Sequence, residues 1–201
     1  MKQQRFFCSL VVLLFAICLS DAALAQPSAQ IGSSDIVTLY ALDPITCNLS
    51  LHDGKGGTVV QDNLAYNRDS QISFDTYVRD SFKVGIQGGE VGAIVDLGSA
   101  DDLRTRYGYE ETVGNIQGFT SIHLEAGRAV ILKSYRTKEF QPLREFEELG
   151  QDVRGSDAAA VVIGHTYLVR ITQDHKVNFY VKLKVLAFVP GQFVTFRWTR
   201  L

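Results

Sequence analysis

His123 and Glu125 stand two residues apart, so on a β-strand both side chains point to the same face. Such a pair could begin a metal site or a hydrolytic centre, but a metal needs further ligands and hydrolysis needs a nucleophile. The neighbouring residues supply neither. Ile122 and Leu124 take the apolar positions of the alternation, which leaves His123 and Glu125 facing solvent as weak catalytic candidates. His52, His165 and His175 are dispersed along the chain and make no zinc motif with His123.

Asp96, Ser99, Asp101 and Asp102 form a denser group of oxygens, the type of ligand that calcium takes. Their spacing is not that of a calcium loop, and Ser99 with Asp102 fits the reciprocal hydrogen bonds of a capping box at a helix start. Asp96, Asp101 and Asp102 are therefore weak metal candidates, and no cofactor is expected. The chain has no nucleophile elbow and no phosphate loop ending in lysine and a hydroxyl residue. The glycines at 85, 88, 89 and 92 fall inside an expected hairpin, not between a strand and a long helix, which argues against a dinucleotide site. Asn48 with Ser50 forms a glycosylation acceptor, relevant only in a eukaryotic secretory pathway.

The distribution of charge is more informative. Beyond residue 157 the chain carries Arg170, Lys176, Lys182, Lys184, Arg197 and Arg200 against Asp174 alone, although the whole sequence has a formal net charge of −2. Period-two alternation sets Arg170, Lys182, Lys184 and Arg197 on the side opposite Val169, Val181, Leu183, Phe196 and Trp198. If these strands are neighbours, the four cations share one outer sheet face, a candidate binding surface for an anionic polysaccharide or an acidic partner protein, another copy of the chain included. Leu186 and Phe188 would extend that face as an apolar end. The same cations also suit plain solubility and protection of sheet edges. So mild an overall charge gives no reason to expect nucleic-acid binding or wholesale membrane affinity.

These side chains need elements to position them. Lys2 and Arg5, an apolar run from Phe6 to Leu19, and Ala23 and Ala25 follow the order of a secretory signal, with cleavage expected after Ala25. The apolar run is short for a membrane span, and no later run is long enough, so no stable insertion is expected after processing. Residues 26–35 are small and polar, as in a flexible leader. Cys8 and Cys18 would leave with the signal. Cys47 would remain, sharing its parity with Ile45, Leu49 and Leu51 and expected to be a buried, inert thiol.

From residue 36 the pattern is strand after strand. Ile36–Leu42 and Ile45–Leu51 are separated by Asp43 and Pro44, and Ile72, Phe74 and Thr76 alternate with polar neighbours. Phe82, Val84 and Ile86 would turn at Gly88 and Gly89 into Val91, Ala93 and Val95, the expected first hairpin. A short helix is predicted over Ala100–Tyr107, stopped by Gly108, and a second from Pro142 through Phe146 and Leu149 to Gly150. A hairpin over 119–135 turns at Ala126, Gly127 and Arg128. Val161–Thr172, Val177–Val189 and Phe193–Trp198 form a final three-stranded meander, with turns at Asp174 and at Pro190 and Gly191.

The expected fold is all-β and mainly antiparallel, a β-sandwich with two short helical inserts over residues 36–201, with a closed β-barrel as the competitor. The expected function is that of a secreted or periplasmic, non-catalytic interaction module. A secreted hydrolase or metal-dependent enzyme using His123, Glu125 and nearby acids, and a structural subunit of a surface assembly, are the alternatives.

Overall fold

In the computed structural model the chain is described over residues 35–43, 46–54, 56, 70–85, 90–109, 118–145, 156–173 and 176–201. The signal and leader expected before residue 35 lie outside these. So do Ile86, Gly88 and Gly89 of the expected first turn, Phe146, Leu149 and Gly150 of the second helix, and Asp174 and His175.

The described chain is mostly antiparallel β-structure in packed sheets, with no closed barrel. The central sheet has the order β1 (Asp35–Tyr40), β12 (Phe193–Arg200), β11 (Lys176–Val189), β10 (Thr166–Gln173), β5 (Glu90–Gly98). The meander β10–β11–β12 forms as its alternating β-branched and aromatic residues predict. A second sheet has the order β2 (Asn48–Leu49), β3 (Ile72–Phe74), β4 (Ser81–Val84), β9 (Ala158–Ala160). The third comprises β6 (Ile122–Glu125), β7 (Arg128–Ser134) and β8 (Glu139–Pro142). The β6–β7 turn is made by Ala126 and Gly127, both at positive φ, as a two-residue hairpin that follows the sheet twist requires.

Two apolar cores lie on the two faces of the central sheet. On one face Leu39, Val169, Val181, Leu183 and Phe196 interlock with Leu49, Ile72, Phe74 and Phe82 of the second sheet. On the other, Ala93, Leu97 and Leu168 meet Leu103 and Tyr107 of the helix, Ile122 and Ile131 of the third sheet, and Leu143. That helix, α1 (Ala100–Tyr107), carries the predicted capping box between Ser99 and Asp102 and ends on Gly108 in the left-handed conformation.

Three expectations are corrected. β4 and β5 are not a hairpin: β4 pairs with β3 and β9, and β5 pairs with β10 in the central sheet. Where the chain passes between sheets, the backbones of Gly85 and Gly92 approach so closely that a Cβ on Gly85 would lie 2.1 Å from the Gly92 nitrogen. Pro142 closes strand β8, and the helical residues described after it are Arg144 and Glu145. Finally, β11 is irregular between Val185 and Ala187, where Leu186 is the extra residue. This bulge shifts the phase, so Phe188 packs on the first core and not beside the lysines.

Candidate functional site

The alternation that grouped the four cations is correct, but the face they share is covered. Arg170, Lys182 and Lys184 are 5%, 7% and 6% exposed, beneath the layer formed by α1 and the third sheet. Arg197, closer to β1, is partly exposed, and its Nε is buried without a hydrogen-bond partner. Lys182 Nζ donates to the Ile122 carbonyl oxygen at 2.7 Å and sits 4.8 Å from the centre of the Phe119 ring. Burial pulls its pKa from 10.5 down to about 8 and lowers that of Lys184 as well. Arg170 bonds the phenol of its cross-strand neighbour Tyr180. A polysaccharide cannot reach Arg170, Lys182 and Lys184 without parting the third sheet from the central one, so the expected exposed basic face is corrected to an internal one at these three residues, and Arg197 alone keeps partial exposure.

The reason is energetic. Covering the face buries Leu103, Ile122, Ile131 and Leu143 almost completely, each worth about 1.5–3 kcal/mol. The depression of Lys182 corresponds to roughly 3 kcal/mol against its charged form. Apolar burial outweighs that penalty, and the Ile122 carbonyl and the Phe119 ring reduce it further.

His123 is half-buried, edge-on to Phe140 at 6.0 Å between ring centres, with its Nε2 buried and without a hydrogen-bond partner. Its pKa is lowered, first by burial and then by the nearby Lys182 charge, which favours a neutral ring. Glu125 is exposed at the turn, opposite Arg128. Strand pairing brings this pair no third metal ligand: among the described residues no group of three His, Cys, Asp or Glu could hold a metal ion.

The acidic candidates have structural partners. The Asp102 carboxylate accepts from the Ser99 backbone and hydroxyl, bonds that hold it below the usual carboxylate range. Asp101 pairs with Arg104, and Asp96 accepts from the Gly98 amide at 2.7 Å and pairs with His165 at 2.9 Å. A second pair, which sequence spacing does not suggest, joins half-exposed His52 to buried Glu90 at 3.3 Å. Cys47 is buried as expected, and Asn48 beside it is only 4% exposed, out of reach of glycosylation in the folded chain.

The cations that reach solvent include those of one hairpin. The β7–β8 hairpin tip presents Tyr135, Arg136, Lys138 and Phe140, all exposed, with Lys133 paired to Glu139 at its base. The run from Tyr135 to Phe140 places cations between two aromatics in a turn, a signal that strand alternation passes over.

Comparison with known proteins leaves the geometry to stand alone: no family model, no curated protein and no solved structure matches this chain. Among the described residues no helix is long and apolar enough to cross a membrane.

Proposed function

We propose that this chain is an exported, non-catalytic β-sandwich module that holds an anionic polysaccharide at the β7–β8 hairpin. The observation that carries the reading is the exposure on one hairpin of two cations, Arg136 and Lys138, between two rings, Tyr135 and Phe140. Rings offer flat apolar surface to sugar faces, and mobile cations meet uronate or sulfate groups. Export is supported by the order of Lys2, Arg5, the apolar run to Leu19, and Ala23 and Ala25. The buried cations of β10 and β11 belong to the scaffold in this reading, not to the contact.

Titration with polygalacturonate, with neutral dextran as comparison, tests it. Binding to the polyuronate should weaken as salt rises through the range where the screening length falls below about 10 Å. Replacing Arg136 and Lys138 together by glutamate should abolish it, while Lys182→Met should leave it unchanged. An isotherm indifferent to salt and to the double substitution removes the proposal. Saturable binding to an acidic polypeptide, with none to polygalacturonate, would make the partner a protein.

A further inference from the structure

The central sheet has two edges, and they differ. At β5, the Ile94 amide donates to the Ser156 carbonyl oxygen at 2.9 Å, and Gly92 is pressed against Gly85. At β1, among the described residues, no strand pairs with the side away from β12. Its six residues, Asp-Ile-Val-Thr-Leu-Tyr, run in unbroken register with β12 and contain no lysine, proline or bulge, the devices that usually guard an edge.

The direction of the open hydrogen-bonding groups follows from the pairing already made. Ala41 N donates to Gln192 O at 2.7 Å, which fixes the alternation along β1. Thr38 is then in a non-hydrogen-bonded pair with Thr195, in keeping with their hydroxyls lying 2.8 Å apart. The N–H and C=O groups of Ile36, Thr38 and Tyr40 therefore point away from β12, and the Tyr40 amide is taken by Thr46 O at 3.3 Å. Among the described residues, Ile36 and Thr38 remain as the open rungs. Ile36 and Tyr40 are also 55% and 51% exposed on the outer face beside this edge.

We propose that two copies of this chain pair through β1, antiparallel across a two-fold axis at Val37. This register is the one that uses both open rungs without displacing Thr46. Ile36 of each copy exchanges two hydrogen bonds with the partner's Thr38, and the two Val37 residues face each other as a non-hydrogen-bonded pair. Ile36 lies diagonal to the partner's Tyr40, a pairing of β-branched and aromatic side chains that favours association. The sole charge of the strand, Asp35, falls at opposite ends of the joint in the two copies. With a rise of about 3.3 Å per residue and strands about 4.8 Å apart, the two carboxylates are on the order of 14 Å from each other. That exceeds the screening length of about 8 Å at physiological salt, so like charge does not oppose the pairing.

Sedimentation of the purified protein over a concentration series, with no polysaccharide present, should show a monomer–dimer equilibrium. Ile36→Lys, a change at an exposed position, should weaken the dimer roughly tenfold or more while leaving the melting temperature near that of the wild type. Val37→Cys should form a covalent dimer under mild oxidation, because the axis sets the two sulfurs within bonding reach; the wild-type chain is the blank for Cys8, Cys18 and Cys47. A monomer at every concentration up to the solubility limit overturns the proposal. So does a dimer that Ile36→Lys leaves intact, or a Val37→Cys variant that dimerises yet forms no covalent link beyond the wild-type blank.

Discussion

Folding takes the Lys182 amine out of water and sets it against the Ile122 carbonyl oxygen and the Phe119 ring. In the unfolded chain its amine keeps an ordinary pKa near 10.5, and in the folded protein burial pulls that to about 8. Between these values the unfolded state binds the extra proton, so stability should rise with pH across that window. Above about pH 10 the trend should reverse. Burial and Glu145 push Tyr107 up to about 12, and burial raises Tyr167, so the unfolded chain then ionises more readily than the folded one. Urea midpoints measured from pH 7 to 11 should trace this rise and fall, with the rise worth up to about 3 kcal/mol. Lys182→Met should flatten the rise and spare the fall; an unchanged rise would show that the lysine is not the group concerned. The parity of Lys182 was legible because alternation fixes which side of a strand a residue is on. Its burial was not, since alternation is silent on whether that side meets water or another layer.

At the scale of elements, local chemistry was the legible part. The Ser99–Asp102 box and Gly108 set both ends of α1, and the residues of β10, β11 and β12 alternate strongly enough to show the meander. Pairing between distant segments was not visible: β9 is three alanines, and β4 and β5, adjacent in sequence, belong to different sheets. Glycines at 85, 88, 89 and 92 suggest a turn by their spacing, whereas in the fold Gly85 and Gly92 allow two backbones to approach closely. A Cβ at Gly92 would lie 2.5 Å from the Gly85 nitrogen, a backbone atom with nowhere to move. Gly92→Ala should therefore destabilise the fold by about 2–4 kcal/mol, read as a lower urea midpoint. Gly127→Ala, where a Cβ would meet nothing, should cost only about 1 kcal/mol through its positive φ. Equal losses at the two sites would remove the close-approach argument. In β11 the Leu186 bulge let one strand turn lysines toward one core and Phe188 toward the other, a change of phase that strict period-two reading does not anticipate.

For the molecule as a whole, the central sheet has a layer on each face, and the two layers are held differently. The second sheet is joined through Phe82, which meets both Tyr167 and Phe196 edge-on. The outer layer is tied by Glu145, which accepts from Arg106 and from the Tyr107 hydroxyl, while Arg106 also reaches the Leu97 carbonyl oxygen and Arg144 N donates to the Tyr107 oxygen. Glu145→Ala should loosen that layer alone, at a cost of about 1–3 kcal/mol. Amide exchange at Ile131 should accelerate, while emission from Trp198, which lies in the opposite core, should stay as it is. Simultaneous change of both signals would mean that the layers open together.

The closed side of β5 sets a limit on what the open side of β1 can build. A sheet able to recruit at both margins can polymerise without end, one molecule templating the next. Among the described residues Ser156 meets Ile94 and Gly85 meets Gly92, so the middle of the far margin is taken, and a pair joined at β1 would find no unbroken ladder there on which a third copy could be added.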